Sequence, residues 1–198
     1  MVHWVELCFG LALIVGSSAA APRMPALVPG RVYGVVGRMG TGKTLLVTSW
    51  AMNYAMVTHG RIVANFGLAC ADQVVHSWAE AYELRDCLFI LDEAHLWASS
   101  NSQKALTLEG RQFISQLRKR GVCLVWVSQH ENRVAKALRE LTTDIIQCTK
   151  YFGFHVVVFR DPDDPKANLG WSLARVDPIA ASLYRTREDV PIPTDSTY

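Results

Sequence analysis

The chain has 198 residues, half of them apolar, with 20 basic and 18 acidic side chains and a formal net charge of +2. That length fits one domain with a short appendage, and the balance excludes a disordered chain and a strongly basic coat protein. Any contact with nucleic acid must come from a local basic patch.

The chain opens on residues 7–22 (LCFGLALIVGSSAAAP), which carry no charge. As a helix they would span roughly 24 Å, short of a bilayer core of about 30 Å. Three readings stay open: a membrane anchor, a helix packed in an interface, and a cleaved signal with a Ser18-Ala19-Ala20-Ala21 processing site. The first basic residues, Arg23 and Arg31, follow the run, so an inserted run would leave the rest of the chain on the cytoplasmic side. With Pro22, Pro25 and Pro29 forming a linker, residues 1–29 make an N-terminal segment, residues 30–176 the main domain and residues 177–198 a short helix and tail.

Residues 31–36 read as a buried strand running into Gly37, Arg38, Met39, Gly40, Thr41, Gly42, Lys43 and Thr44, the pattern G-x-x-x-x-G-K-[ST], with helical spacing over residues 44–56. The glycines let backbone N–H groups approach a polyphosphate without an intervening Cβ. Lys43 is expected on the β and γ phosphates and Thr44 on Mg²⁺, at the positive end of a helix. The expected ligands are therefore ATP and Mg²⁺.

Residues 61–65 (RIVAN) read as a second strand and residues 72–84 as a helix that crosses back. Residues 87–91 (CLFIL) are a fully apolar strand ending in Asp92-Glu93. Asp92 is expected to hold Mg²⁺ through its water shell, and Glu93, pointing differently, to polarise the attacking water. Residues 107–120 form a helix with Phe113, Ile114 and Leu117 on one face and Arg118-Lys119-Arg120 in the last turn. Those cations either complement the helix dipole or, through Arg118 or Arg120, reach a neighbouring subunit's γ-phosphate.

Residues 122–127 (VCLVWV) are another buried strand, ending in Ser128-Gln129-His130. Gln129 is placed to sense the γ-phosphate or orient water, and His130 to serve the turn. Arg133, Lys136 and Arg139 recur every three residues, so a single helix would carry them on one face, solvated, touching DNA phosphates or, through Arg139, reaching a neighbouring nucleotide. Strands at 144–148 and 154–160 and a polar loop at 161–170 follow. Cys8, Cys70, Cys87, Cys123 and Cys148 are odd in number and widely spaced, with no C-x-x-C or H-E-x-x-H pattern. Reduced thiols are expected, without a disulfide framework or structural zinc. Alternating strands and helices predict an α/β fold, a doubly wound, mainly parallel sheet with helices on both faces and the nucleotide at the carboxyl ends of its strands.

The runs LDEAHLW, FISQLRKRGVCLVWVSQH and RVAKALRELTTDII resemble the additional-strand P-loop ATPases of the FtsK and HerA group. The likeness is especially to viral genome-packaging ATPases and to the zonula occludens toxin-like assembly proteins of filamentous phages. The loop GRMGTGKT is similar to the toxin-like group, and the Arg-Lys-Arg-Gly run to the packaging group. The resemblance covers residues 31–160 and implies a RecA-like, additional-strand fold, a homo-oligomeric ring and a motor that moves viral DNA, with capsid or assembly proteins as partners. Its position for an arginine acting in trans corresponds to Arg139. It implies a place in the host cytoplasm or at the cytoplasmic face of the inner membrane, or association with the virion.

Toxin-like members carry a membrane span after the ATPase domain, and no apolar run follows Phe159 to supply one; residues 1–22 are the alternative anchor. Asp92-Glu93-Ala94-His95 also matches a DEAH helicase box by letter, but too few residues follow His95 for a second RecA-like domain. A nucleotide-dependent switch or scaffold is the remaining class, and a positioned Glu93 argues against it.

Overall fold

In the computed structural model of the protein, the described residues are 27–101, 106–151, 154–162, 164, 168–175, 182, 193 and 194. The apolar run at 7–22, Cys8 and nearly all of the tail expected from residue 177 lie outside them. No helix among the described residues is long and apolar enough to cross a membrane.

The described residues form one eight-stranded sheet. Its strands in chain order are β1 (Val32–Val36), β2 (Arg61–Ala64), β3 (Gln73–Val74), β4 (Cys87–Leu91), β5 (Cys123–Ser128), β6 (Asp144–Tyr151), β7 (Phe154–Arg160) and β8 (Asn168–Arg175). The spatial order is β3-β2-β4-β5-β1-β6-β7-β8. The strands from β3 to β6 are mutually parallel, and β7 and β8 add an antiparallel wing. The central strands are buried on both faces, as uninterrupted apolar runs require of a parallel sheet.

One face is covered by α1 (Lys43–Thr58), whose Leu46, Val47, Trp50 and Ala51 pack on Tyr33, Val35, Ile90 and Val125. The other is covered by α2 (Trp78–Tyr82), α3 (Ala94–Trp97), α4 (Leu108–Arg120) and α5 (Lys136–Arg139). Aromatic rings fill that second layer. Trp78 meets Trp97 edge to face at 5.3 Å, Phe113 meets Phe89 at 6.0 Å, and the Trp78 indole N–H donates to the Trp97 carbonyl at 3.0 Å. Gly34 in β1 makes room for Trp126 of β5, since a Cβ at residue 34 would lie 2.3 Å from the indole ring. The same indole donates to Thr142 Oγ1 at 2.9 Å, and Thr142 donates in turn to the Leu138 carbonyl.

Three expectations need correction. Residues 72–84 are not one helix: Gln73–Val74 joins the sheet beside β2, the Val75 N–H donates to the Ala64 carbonyl, and Ser77 caps the short α2. The polar loop expected through residue 170 gives way to β8 from Asn168, paired along β7. Arg133, Lys136 and Arg139 do not share one helix. Arg133 ends a 3₁₀ turn (Glu131–Arg133), Val134 is extended and bridges Ser99, and the Ala135 N–H donates to the Ala98 carbonyl at 2.7 Å before α5 begins.

Candidate active site

The parallel register brings five strand ends to one edge. Val36 pairs with Ser128 and with Gln147, Leu91 with Trp126, and Ala64 with Ile90. The residues that follow or continue those strands, Gly37, Asn65, Asp92, Gln129 and Cys148, therefore gather at the carboxyl edge of the sheet.

The loop between β1 and α1 is built for an anion. Gly40 and Gly42 adopt φ of 77° and 79°, the left-handed region that glycine enters at no steric cost, and nothing lies within 4 Å of a Cβ added at Gly40. Gly37 is required by packing as well, because a Cβ there would sit 2.4 Å from the Cys148 carbonyl oxygen of β6. The loop folds on the Arg38 carbonyl, which accepts from Thr41 Oγ1 at 2.8 Å and from Lys43 Nζ at 3.1 Å. Lys43 is only 8% exposed, so its ammonium is held inside the loop where an entering phosphate can take over that carbonyl's place. Arg38 and Met39 stand exposed at the tip. The Cys148 thiol donates to the Thr41 carbonyl at 3.5 Å and ties the loop to β6.

Across from the loop, Thr44 Oγ1 donates to Asp92 Oδ2 at 2.8 Å. Asp92 is 3% exposed and its other oxygen accepts from the Glu93 N–H at 2.8 Å. Burial pushes its carboxyl up to about 6, against the lowering effect of the Thr44 and Glu93 bonds; the Glu93 charge adds to the rise and Lys43 opposes it. A carboxylate so placed gains a partner when a cation arrives. Thr44 and Asp92 also fit Mg²⁺ by donor type, since that ion takes one or two protein oxygens and completes its shell with water and phosphate. No group of three or more His, Cys, Asp or Glu side chains suited to a metal occurs among the described residues.

Glu93 takes φ 45° and ψ 47°, unusual for a residue with a Cβ, and caps α3. Glu93 Oε2 lies 3.2 Å from His95 Nδ1. Both atoms are buried and neither has a formed hydrogen bond, so the contact is a close polar approach. Gln129 is half-buried at the end of β5, between the loop strand and the acid-bearing strand.

The arginines are placed less uniformly than the sequence suggested. Arg118 and Arg120 end α4 just before β5, at the amino-terminal edge, one strand length of about 16 Å from the loop. Arg118 is exposed there. Arg120 is 5% exposed, donates to the Tyr82 carbonyl and to Gln116 Oε1, and stacks over the Tyr82 ring at 4.0 Å. Its guanidinium locks α4 to α2, and a side chain so engaged is not available to a neighbouring subunit. Arg139 is half-buried, with Nε donating to the Val134 carbonyl at 3.0 Å.

Asn65 and His95 carry site geometry that sequence reasoning passed over. Asn65 is fully buried; its Nδ2 donates to the Asp92 carbonyl at 3.0 Å and its Oδ1 accepts from the Asp92 N–H at 2.8 Å, clamping the end of β4. The available signal was the one that identified Gln129, a polar amide closing a buried parallel strand.

The sheet order is that of an additional-strand P-loop fold, with β5 inserted between the loop strand and the acid strand. The fold is similar to that of the N-terminal domain of zonular occludens toxin from Neisseria meningitidis, with a TM-score of 0.62 at 19% identity, covering 79% of this chain and 100% of that one. It is also similar to the genome packaging NTPase B204 from Sulfolobus turreted icosahedral virus 2. With ATP-gammaS, that protein gives a TM-score of 0.53 at 12% identity over 75% of this chain and 98% of that chain. Its sulfate complex gives 0.55 at 12% identity, over 74% and 97%. At these identities the likeness is one of fold. No curated protein matches the sequence. Residues 33–149 match a family model that spans the loop, the acid pair, Gln129 and Cys148. With its phosphate loop, its paired acids and more than half its length inside that match, the chain belongs to the ATPase family associated with various cellular activities (AAA).

Proposed function

We propose that this ATPase is the motor of a virus or phage, hydrolysing ATP with Mg²⁺ to translocate viral DNA during genome packaging or virion assembly, as a homo-oligomeric ring. The observation that carries the hydrolytic part is the contact between Thr44 and Asp92 at 2.8 Å, with Glu93 next to it in a left-handed backbone conformation. The loop N–H groups and Lys43 bind the phosphates. Thr44 and Asp92 hold Mg²⁺, which when bound neutralises charge on those phosphates. Glu93 accepts the proton of the attacking water and Gln129 orients that water toward the γ-phosphate. Arg118 and Arg139 are the candidates for charge stabilisation across a subunit boundary, and exposed Arg133 and Lys136 for contact with DNA phosphates. The similarity to a packaging NTPase supports the DNA-moving part.

A second reading is favoured by the complete coverage of the zonular occludens toxin domain. Here the protein works at the cytoplasmic face of a membrane, anchored by residues 1–22, and drives phage assembly and extrusion through partner proteins. Deleting residues 1–22 separates the two: release from membranes supports the second, and an already soluble full chain supports the first.

The test of the shared core is nucleotide binding and hydrolysis with and without DNA. Lys43→Ala is expected to lose binding and turnover together, while Glu93→Gln keeps binding and loses turnover by about 100-fold or more, the scale of a lost general base. Wild-type turnover that DNA leaves unchanged would count against a DNA motor.

A further inference from the structure

Two buried atoms at the site face each other with no hydrogen-bond partner among the described residues: Glu93 Oε2 and His95 Nδ1, 3.2 Å apart. Such atoms are costly to strand, and the same arrangement has a use. Glu93 is the residue at which the chain turns into α3, and its amide is fixed on Asp92 Oδ1, so its backbone is held while its side chain still has free rotors. His95 lies two residues on, in the first turn of the same helix, and is anchored by that helix.

We propose that His95 is the positioning residue for Glu93: when nucleotide binds, the 3.2 Å approach closes into a hydrogen bond from Nδ1–H to Oε2, which leaves the other carboxylate oxygen to the attacking water. The inference rests on Glu93 as the general base. In the step it serves, the water oxygen bonds to the γ-phosphorus, the bond from that phosphorus to the bridging oxygen of the departing ADP breaks, and the water proton passes to Glu93. A base restrained by one oxygen spends more of its time in line with that water. The tether also fixes the tautomer, since only Nδ1 faces the carboxylate.

The test uses the full chain and separates nucleotide binding from turnover. His95→Ala is expected to lower kcat by roughly tenfold, a fraction of what the base itself contributes, with ATP affinity within about twofold of wild type. An asparagine amide can occupy the place of Nδ1 and a glutamine amide cannot, so His95→Asn is expected to recover kcat to within about threefold while His95→Gln stays low. A His95→Ala protein with wild-type kcat would overturn the inference, as would variants that lose kcat and ATP affinity together whatever the replacement. If wild type and Glu93→Gln turn over equally, the general base itself is misassigned and the tether falls with it.

Discussion

A carboxyl buried as deeply as Asp92 sets a conflict between stability and use. Its folded value, about 6, lies above its ordinary value of 3.8. The contribution of the protonated form is therefore full below pH 3.8 and lost as pH rises through about 6, so above that pH the nucleotide-free protein holds a carboxylate it would rather neutralise. That difference corresponds to about 3 kcal/mol at most. Asp92→Asn is thus expected to melt higher than wild type at pH 8 in the absence of nucleotide, to lose that advantage at pH 4, and to abolish Mg-dependent hydrolysis. An advantage equal at both pH values would mean that the charge is not its source. Burial acts on thiols in the same sense: Cys87 and Cys148 are pushed up to about 11 and Cys123 to about 12. In peptide-resolved alkylation at pH 8 these three are expected to stay unlabelled until the protein unfolds; rapid labelling of the native protein would contradict their burial.

At the scale of elements, legibility followed how local the determinants are. The strands at 87–91 and 154–160 stand where their apolar runs put them, and the helix at 107–120 lacks only its first residue, Thr107, which caps it by accepting from the Gly110 N–H. What failed was set by partners distant in sequence. The start of β8, residues 168–170, reads as the end of a polar loop because of its asparagine and glycine, yet pairing along β7 makes it a strand, with Trp171 left exposed. Residues 72–84 have helical spacing, but the free edge of β2 captures Gln73–Val74. The apparent basic stripe breaks where Ser99 bridges Val134. The placement of the loop glycines, Lys43, Thr44 and the acid pair at one edge was legible, because each sits at a strand end that its own apolar run predicts. Asn65, His95 and the engagement of Arg120 were not, because their roles depend on which residue they face. Gly34 shows the same dependence: only the neighbouring Trp126 makes it necessary. Gly34→Ala forces the indole or the strand to move and is expected to destabilise the domain by about 1 to 3 kcal/mol in denaturant melts, the usual cost of overpacking. An unchanged midpoint would mean that β5 yields without strain.

At the scale of the whole molecule, the inserted strand β5 joins the two halves of the chemistry. It lies between β1 and β4, so Gln129 stands between the phosphate loop and the acid pair. Arg118 is exposed at the far edge of the same sheet, separated from its own loop by the length of β5. In the proposed ring, an arginine remote from its own nucleotide would act on a neighbour's. In such a ring, turnover is a property of the assembly, coupled to the polymer it moves. The most direct test is the ATP hydrolysis rate per subunit, measured across a range of protein concentrations with and without DNA. The predicted result is a rate that rises cooperatively with concentration and is stimulated further by DNA. A rate per subunit that is constant with concentration and indifferent to DNA would contradict it.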